Sequence, residues 1–103
     1  MTQYKVDFKM LEWQAPMEGV RFKVNKQNGK QLRFVEYTKK MPPHWCENGH
    51  IGYVLEGEFE IAFEGEVDRF RQGEGIFIPA GKAHKHMARA LTDIVKIVFV
   101  EEV

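Results

Sequence analysis

From Gly19 onward, short runs rich in Val, Ile, Phe and Tyr alternate with charged side chains and are broken every few positions by glycine; this pattern constrains the fold more than any other feature. A period of two sends one face of each run toward a core and the other toward water, which is the behaviour of a half-buried strand. The segments that fit are Gly19–Lys26, Lys30–Tyr37, Gly49–Leu55, Glu58–Phe63, Val67–Arg71, Gly75–Ile78, Ala83–Ala90 and Ile94–Glu101. That many short strands in succession predict an all-β sandwich or barrel. Asn28-Gly29 reads as a tight hairpin turn, and Glu56-Gly57, Glu64-Gly65 and Gln72-Gly73 offer glycine where a positive φ is needed. Glu12–Glu18 fits no element clearly, and a helical turn around Lys9–Trp13 would be kept short by Pro16. The expected organisation is one domain, with residues 1–18 as an N-terminal arm and residues 19–103 as the barrel.

A chain of 103 residues can bury one sizeable core, so function must reside in one site or on one surface. Lys plus Arg and Asp plus Glu each number 15, and the resulting zero net charge provides no field to draw the protein to nucleic acid or an anionic membrane. No run approaches a membrane span, and the first ten residues mix charge with apolar side chains, unlike a secretion signal; the expected compartment is the cytosol. One cysteine cannot form an internal disulfide, which leaves Cys46 as a small buried hydrophobe, a reactive thiol or a metal ligand.

His44, Cys46 and His50 fall within seven residues, just after Met41-Pro42-Pro43. On an extended chain His44 and Cys46 share a face, and His50 joins them if the turn at Asn48-Gly49 keeps the register. Imidazole and thiolate suit zinc, iron, nickel or copper, whereas calcium and magnesium require more oxygen. A fourth donor has to come from elsewhere. His84 is the leading candidate, because it follows the Pro79-Ala80-Gly81 turn and opens another strand, on which His86 shares its face.

The stretch from Gly73 through Pro79 and Gly81 to His84 resembles the second sequence motif of the cupins, Gly-x5-Pro-x-Gly-x2-His. The first cupin motif is matched less literally. Gly57 sets its register, which puts His44 and Cys46 in the two histidine slots and His50 in the glutamate slot; the leading glycine is missing, and Ala88 stands where asparagine is usual. The wording of residues 44–58 is also similar to a subset of small cupins in which a His-Trp-Cys triplet precedes a Gly-His pair. The resemblance covers about residues 29–103 and implies a double-stranded β-helix, the cupin jelly-roll barrel. It further implies a divalent metal inside that barrel, carried over to His44, Cys46, His50 and His84.

Exchanging glutamate for imidazole and one imidazole for thiolate favours zinc, with iron, nickel or manganese as alternatives. Four such ligands would close a tetrahedral zinc, whereas a freed position would admit Lewis-acid or oxygen chemistry. For proton transfer Glu36 and His86 are the catalytic candidates, followed by Tyr53, while Trp13 and Trp45 read as packing residues. The leading functional expectation is a metalloenzyme acting on a small molecule, of isomerase, lyase or dioxygenase type. The alternative is a non-enzymatic, metal-stabilised barrel that binds a small ligand or senses oxidation through Cys46. The apolar run Ile94–Val100 would leave a sticky sheet edge unless covered, so a homodimer is expected with either function.

Overall fold

In the computed structural model, which describes residues 4–103, the alternation resolves into nine antiparallel strands: β1 (Gln14–Met17), β2 (Val20–Gln27), β3 (Lys30–Tyr37), β4 (His50–Glu56), β5 (Glu58–Phe63), β6 (Glu66–Arg71), β7 (Gly75–Ile78), β8 (His86–Ala90) and β9 (Val95–Glu102). They form a six-stranded sheet in the order β1-β2-β3-β9-β4-β7 and a three-stranded sheet in the order β6-β5-β8. The turn between β2 and β3 is the expected tight hairpin, with positive φ at both Asn28 (55°) and Gly29 (73°). Gly57 joins β4 to β5 with φ 85°, and a Cβ there would collide with the Ile94 carbonyl.

The two sheets face one another across a core of Val35, Val54, Phe59, Ile61, Ile76, Ile78, Ala90, Val95, Ile97 and Phe99. Each strand contributes alternate residues. Along β9, Val95, Ile97, Phe99 and Glu101 are buried, while Lys96, Val98, Val100 and Glu102 take the other face. Phe59 is 1% exposed, stacks on Phe70 at 5.5 Å and meets the edge of Tyr37 at 6.1 Å.

Three expectations need correction. The last strand is not an edge: β9 lies between β3 and β4, so its backbone is paired on both sides and the edge argument for a dimer falls away. The segment expected as a strand from Ala83 starts instead with a 3-10 turn, Lys82–His84, and extends only from His86. The ambiguous segment before Gly19 supplies β1 on the far edge, where Pro16 does little harm to pairing. Ahead of it the expected helical turn is a 3-10 turn at Phe8–Met10, and the rings of Phe8 and Trp13 pack on Phe34 at 6.0 and 5.8 Å. No helix among the described residues is long and apolar enough to cross a membrane.

Candidate metal centre

Between the sheets, at the end where β4 and β8 begin, Cys46, His50 and His86 each turn a ligand atom inward so that the three atoms lie within 4.8 Å of one another. Each side chain arrives by a different route. His50 is the first residue of β4 and His86 the first of β8, so the two sheets bring them together, with ring centroids 5.0 Å apart and planes at 75°. Cys46 belongs to the irregular segment between β3 and β4 and is fixed by one two-way bridge. Its N–H donates to the His86 carbonyl at 2.8 Å, and the His86 N–H donates back to the Cys46 carbonyl at 2.9 Å.

Both buried imidazoles are held through Nδ1. His86 Nδ1 bonds the His84 carbonyl at 2.9 Å, and since a carbonyl only accepts, the proton is on Nδ1 and Nε2 carries the lone pair. That Nε2 is buried and has no hydrogen-bond partner among the described residues. His50 Nδ1 bonds Glu101 Oε2 at 2.5 Å, which again leaves Nε2 for the cluster. Orienting a ligand histidine through its second nitrogen, with a carboxylate or a carbonyl as acceptor, is how metal sites set tautomer and basicity.

Glu101 is itself locked. Arg33 donates to it from Nε at 2.9 Å and from Nη2 at 2.7 Å, and Gln31 Nε2 donates at 2.7 Å. Burial alone would raise the Glu101 pKa, but the bonds from His50 and Arg33 outweigh it and hold the carboxyl down at about 2. The neighbouring imidazole of His50, and after it that of His86, bring the Cys46 thiol down to about 5 against the opposing effect of burial. Burial disfavours a charge on His50, yet its bonds to Cys46 and Glu101 prevail and raise its pKa. The metal-free cluster therefore sets a thiolate beside an imidazole whose protonated form its neighbours favour, and a cation arriving there competes with the His50 proton.

The donors fit a divalent, borderline-soft metal: one thiolate and two imidazoles, one of them with a buried nitrogen that nothing among the described residues satisfies. They line a cavity of about 200 Å³ whose floor is apolar and whose polar wall includes Arg33, Tyr37, His44 and Asn48. Tyr37 is pushed up to about 12 by burial, so its hydroxyl stays protonated.

The sequence expectation named His44, Cys46, His50 and His84, and the structure gathers only the middle two of these, adding His86. His44 is exposed at the cavity mouth, its Nδ1 turned to the Pro42 carbonyl at 3.3 Å. His84 is exposed in the 3-10 turn and contributes its backbone carbonyl, not its ring. A period of two makes His84 and His86 equivalent on paper; the turn after Gly81 (φ 119°) lifts the first off the sheet. Of the catalytic candidates, Glu36 is buried on the opposite side of β3 from Val35, bound to Arg21 Nε at 2.8 Å and away from the cavity, and Tyr53 is half-exposed on the outer face of β4. Glu101 escaped notice, although its parity with Val95, Ile97 and Phe99 marks it as inward-facing.

Two packed antiparallel sheets enclosing a Cys-His-His cluster define a small β-sandwich of jelly-roll type with a candidate metal site. The chain belongs to the cupin domain family, whose sequence profile matches residues 33–101. Among solved structures it is similar to KdgF from a Halomonas species, at 27% identity over 92% of this chain and 91% of that one, with a TM-score of 0.72. A cupin-2 domain protein from Shewanella frigidimarina is 25% identical over 80% of this chain and 79% of that one, with a TM-score of 0.66. The polyketide cyclase RemF from Streptomyces resistomycificus reaches a TM-score of 0.77 over 98% of this chain and 80% of that one; at 20% identity that likeness is one of fold. No match is found among curated proteins.

Proposed function

We propose that this cupin is a metal-dependent enzyme of the isomerase or lyase type, acting on a small anionic metabolite bound in the cavity beside Cys46, His50 and His86. The observation that carries this reading is the buried, unpartnered Nε2 of His86, facing a thiolate and a second imidazole on the wall of that cavity. A divalent ion held there by Cys46 Sγ and the two imidazoles would supply Lewis acidity toward a carbonyl or hydroxyl oxygen.

The chain's own residues supply the rest. None of the described residues lining the cavity is a carboxylate, and a divalent ion held by one thiolate and two neutral imidazoles would keep a net positive charge, so an anionic group is the favoured occupant. At about 200 Å³ the space takes a small metabolite and excludes drug-sized molecules. Phe59, Ile61 and Ile76 on the floor keep water from the reacting carbon. Tyr37 Oη, protonated throughout the physiological range, donates a hydrogen bond to bound oxygen. His44 at the mouth, with Nδ1 turned to a carbonyl, offers Nε2 to take and return a proton.

The test is solvent exchange: zinc-, manganese- or iron-loaded protein in D₂O is offered a panel of small keto and hydroxy acids and followed by proton NMR. Deuterium should enter at the carbon beside the carbonyl, with wild-type protein active and His86→Ala inactive. No exchange and no turnover with any of them, at full metal occupancy, would remove the enzymatic reading. A second reading, the redox-sensing barrel, draws on Cys46 being only partly buried with a pKa near 5. Under it, stoichiometric peroxide converts the thiolate to sulfenate and releases the metal, while the keto-acid panel stays silent.

A further inference from the structure

The cavity beside Cys46, His50 and His86 has two unlike ends, and the strand register shows how they are separated. On β9, Val100 lies opposite Ile51, the neighbour of His50, whereas Val95 lies opposite Tyr37, which in turn pairs with Val20. Five positions of extended chain divide them, roughly 17 Å at ~3.4 Å per residue. His50 and Val20 still line the same cavity, so it runs along the strands. Met17 pairs with Val20, and the Met41 backbone packs against Gly19, which places both methionines at the Val20 end. Tyr37 apart, whose hydroxyl serves the bound oxygen, that end is built from Pro16, Met17, Val20 and Met41.

We propose, resting on the enzymatic reading above, that the occupant is a monocarboxylic α-keto or α-hydroxy acid with a short aliphatic tail. Its head sits at Cys46, His50 and His86, and its tail lies against Met17, Val20 and Met41. Charge limits it to one carboxylate. Among the described lining residues Arg33 is the one lysine or arginine, and its Nε and Nη2 are both committed to Glu101, at 2.9 and 2.7 Å. A second carboxylate, at the tail end, would be buried without a counter-charge.

Hydrogen bonding disfavours a polyol for a related reason. Outside the cluster, Arg33 and Tyr37, the polar side chains on the wall are His44 and Asn48, which flank Cys46 in sequence and stay exposed. A hydroxyl on the tail would give up water and gain no partner, whereas a methyl group there gains from burial. Size agrees. At ~30 Å³ for each water-sized group, about 200 Å³ holds about seven such groups, enough for the acid head and about two or three tail carbons. The flexible thioethers of Met17 and Met41 adjust to the tail's shape.

Binding to the zinc-loaded full chain, measured by calorimetry after the metal content is verified, tests the class separately from turnover. Two matched pairs decide it. α-Ketovalerate should bind at least tenfold tighter than α-ketoglutarate, which carries a carboxylate in place of the last methyl. α-Hydroxybutyrate should bind at least fivefold tighter than glycerate, which carries a hydroxyl there. Met17→Lys, which puts an ammonium at a half-buried position of β1, should shrink the first ratio at least fivefold. Met41→Ala, which removes tail contacts, should weaken α-ketovalerate about fivefold and leave pyruvate unchanged, and it keeps the test alive if Met17→Lys fails to fold by circular dichroism. Equal or tighter binding of α-ketoglutarate or glycerate overturns the proposed class and leaves the enzymatic reading standing. Failure of every acid to bind at full zinc occupancy overturns the class as well, and with a silent D₂O exchange it removes that reading too.

Discussion

Glu101→Gln separates the carboxylate's electrostatic role from its shape. Glu101 is 8% exposed and accepts from Arg33 twice, from Gln31 and from His50. Glutamine fills the same volume, but its NH₂ confronts donors where an acceptor stood, and Arg33 loses its counter-charge. Removing one member of a buried ion pair costs about 3–5 kcal/mol. The Arg33 side chain keeps 17% exposure and the amide oxygen still accepts, so the lower end, about 3 kcal/mol, applies. In a domain of this size that lowers Tm by about 12 °C, measured by scanning calorimetry on metal-free protein at pH 7. His50 also loses the acceptor that fixes its tautomer, and metal affinity, read by competition with a chromophoric chelator, should fall 10–100-fold as an order of magnitude. The pH dependence has a definite sign. The folded-state pKa lies below the ordinary 4.5, so the stabilisation is complete above pH 4.5 and drains away as the pH falls toward about 2. The variant should lose less than wild type over that window. A Tm within about 2 °C of wild type, together with metal affinity within about threefold, refutes the reasoning.

In metal-free protein, alkylation of Cys46 by iodoacetamide should be almost independent of pH between ~6 and ~8, because the thiol titrates near 5; a tenfold rise per pH unit across that range would contradict it. Elemental analysis should find metal lost from Cys46→Ser, His50→Ala and His86→Ala and retained by His84→Ala, whose ring lies outside the cluster; loss from His84→Ala with retention by His86→Ala would restore the sequence-based ligand set. Phe59→Ala should cost about 3–5 kcal/mol in urea unfolding, since the ring is 1% exposed between Phe70 and Tyr37, and a cost under about 1 kcal/mol would mean that the core collapses around it.

Much of the architecture was legible in local pattern, because a half-buried strand writes its burial into every second residue. β3 and β9 show this most clearly: Val35 on one, and Val95, Ile97 and Phe99 on the other, turn inward with charged or polar residues among their neighbours. What local pattern lacks is order across the sheet. β9 reads as a sticky edge by composition and is interior by topology, since pairing between residues as distant as Leu32 and Val100 leaves no local trace. The site divides along the same line. Cys46 and His50 stood out through their spacing, but the choice between His84 and His86 turns on where a 3-10 turn ends, which period-two reasoning cannot resolve. Glu101 shares the inward parity of β9, but local pattern does not show its partners; Arg33 and Gln31, nearly 70 positions away, make it a buried anchor.

X-ray absorption spectroscopy of the zinc-loaded protein probes the ligand set itself. A shell with one sulfur at ~2.3 Å and two imidazole nitrogens at ~2.0 Å, losing its sulfur in Cys46→Ser, is the predicted spectrum. A shell of oxygen and nitrogen alone in the wild type, unchanged by that substitution, would contradict a centre built on Cys46, His50 and His86.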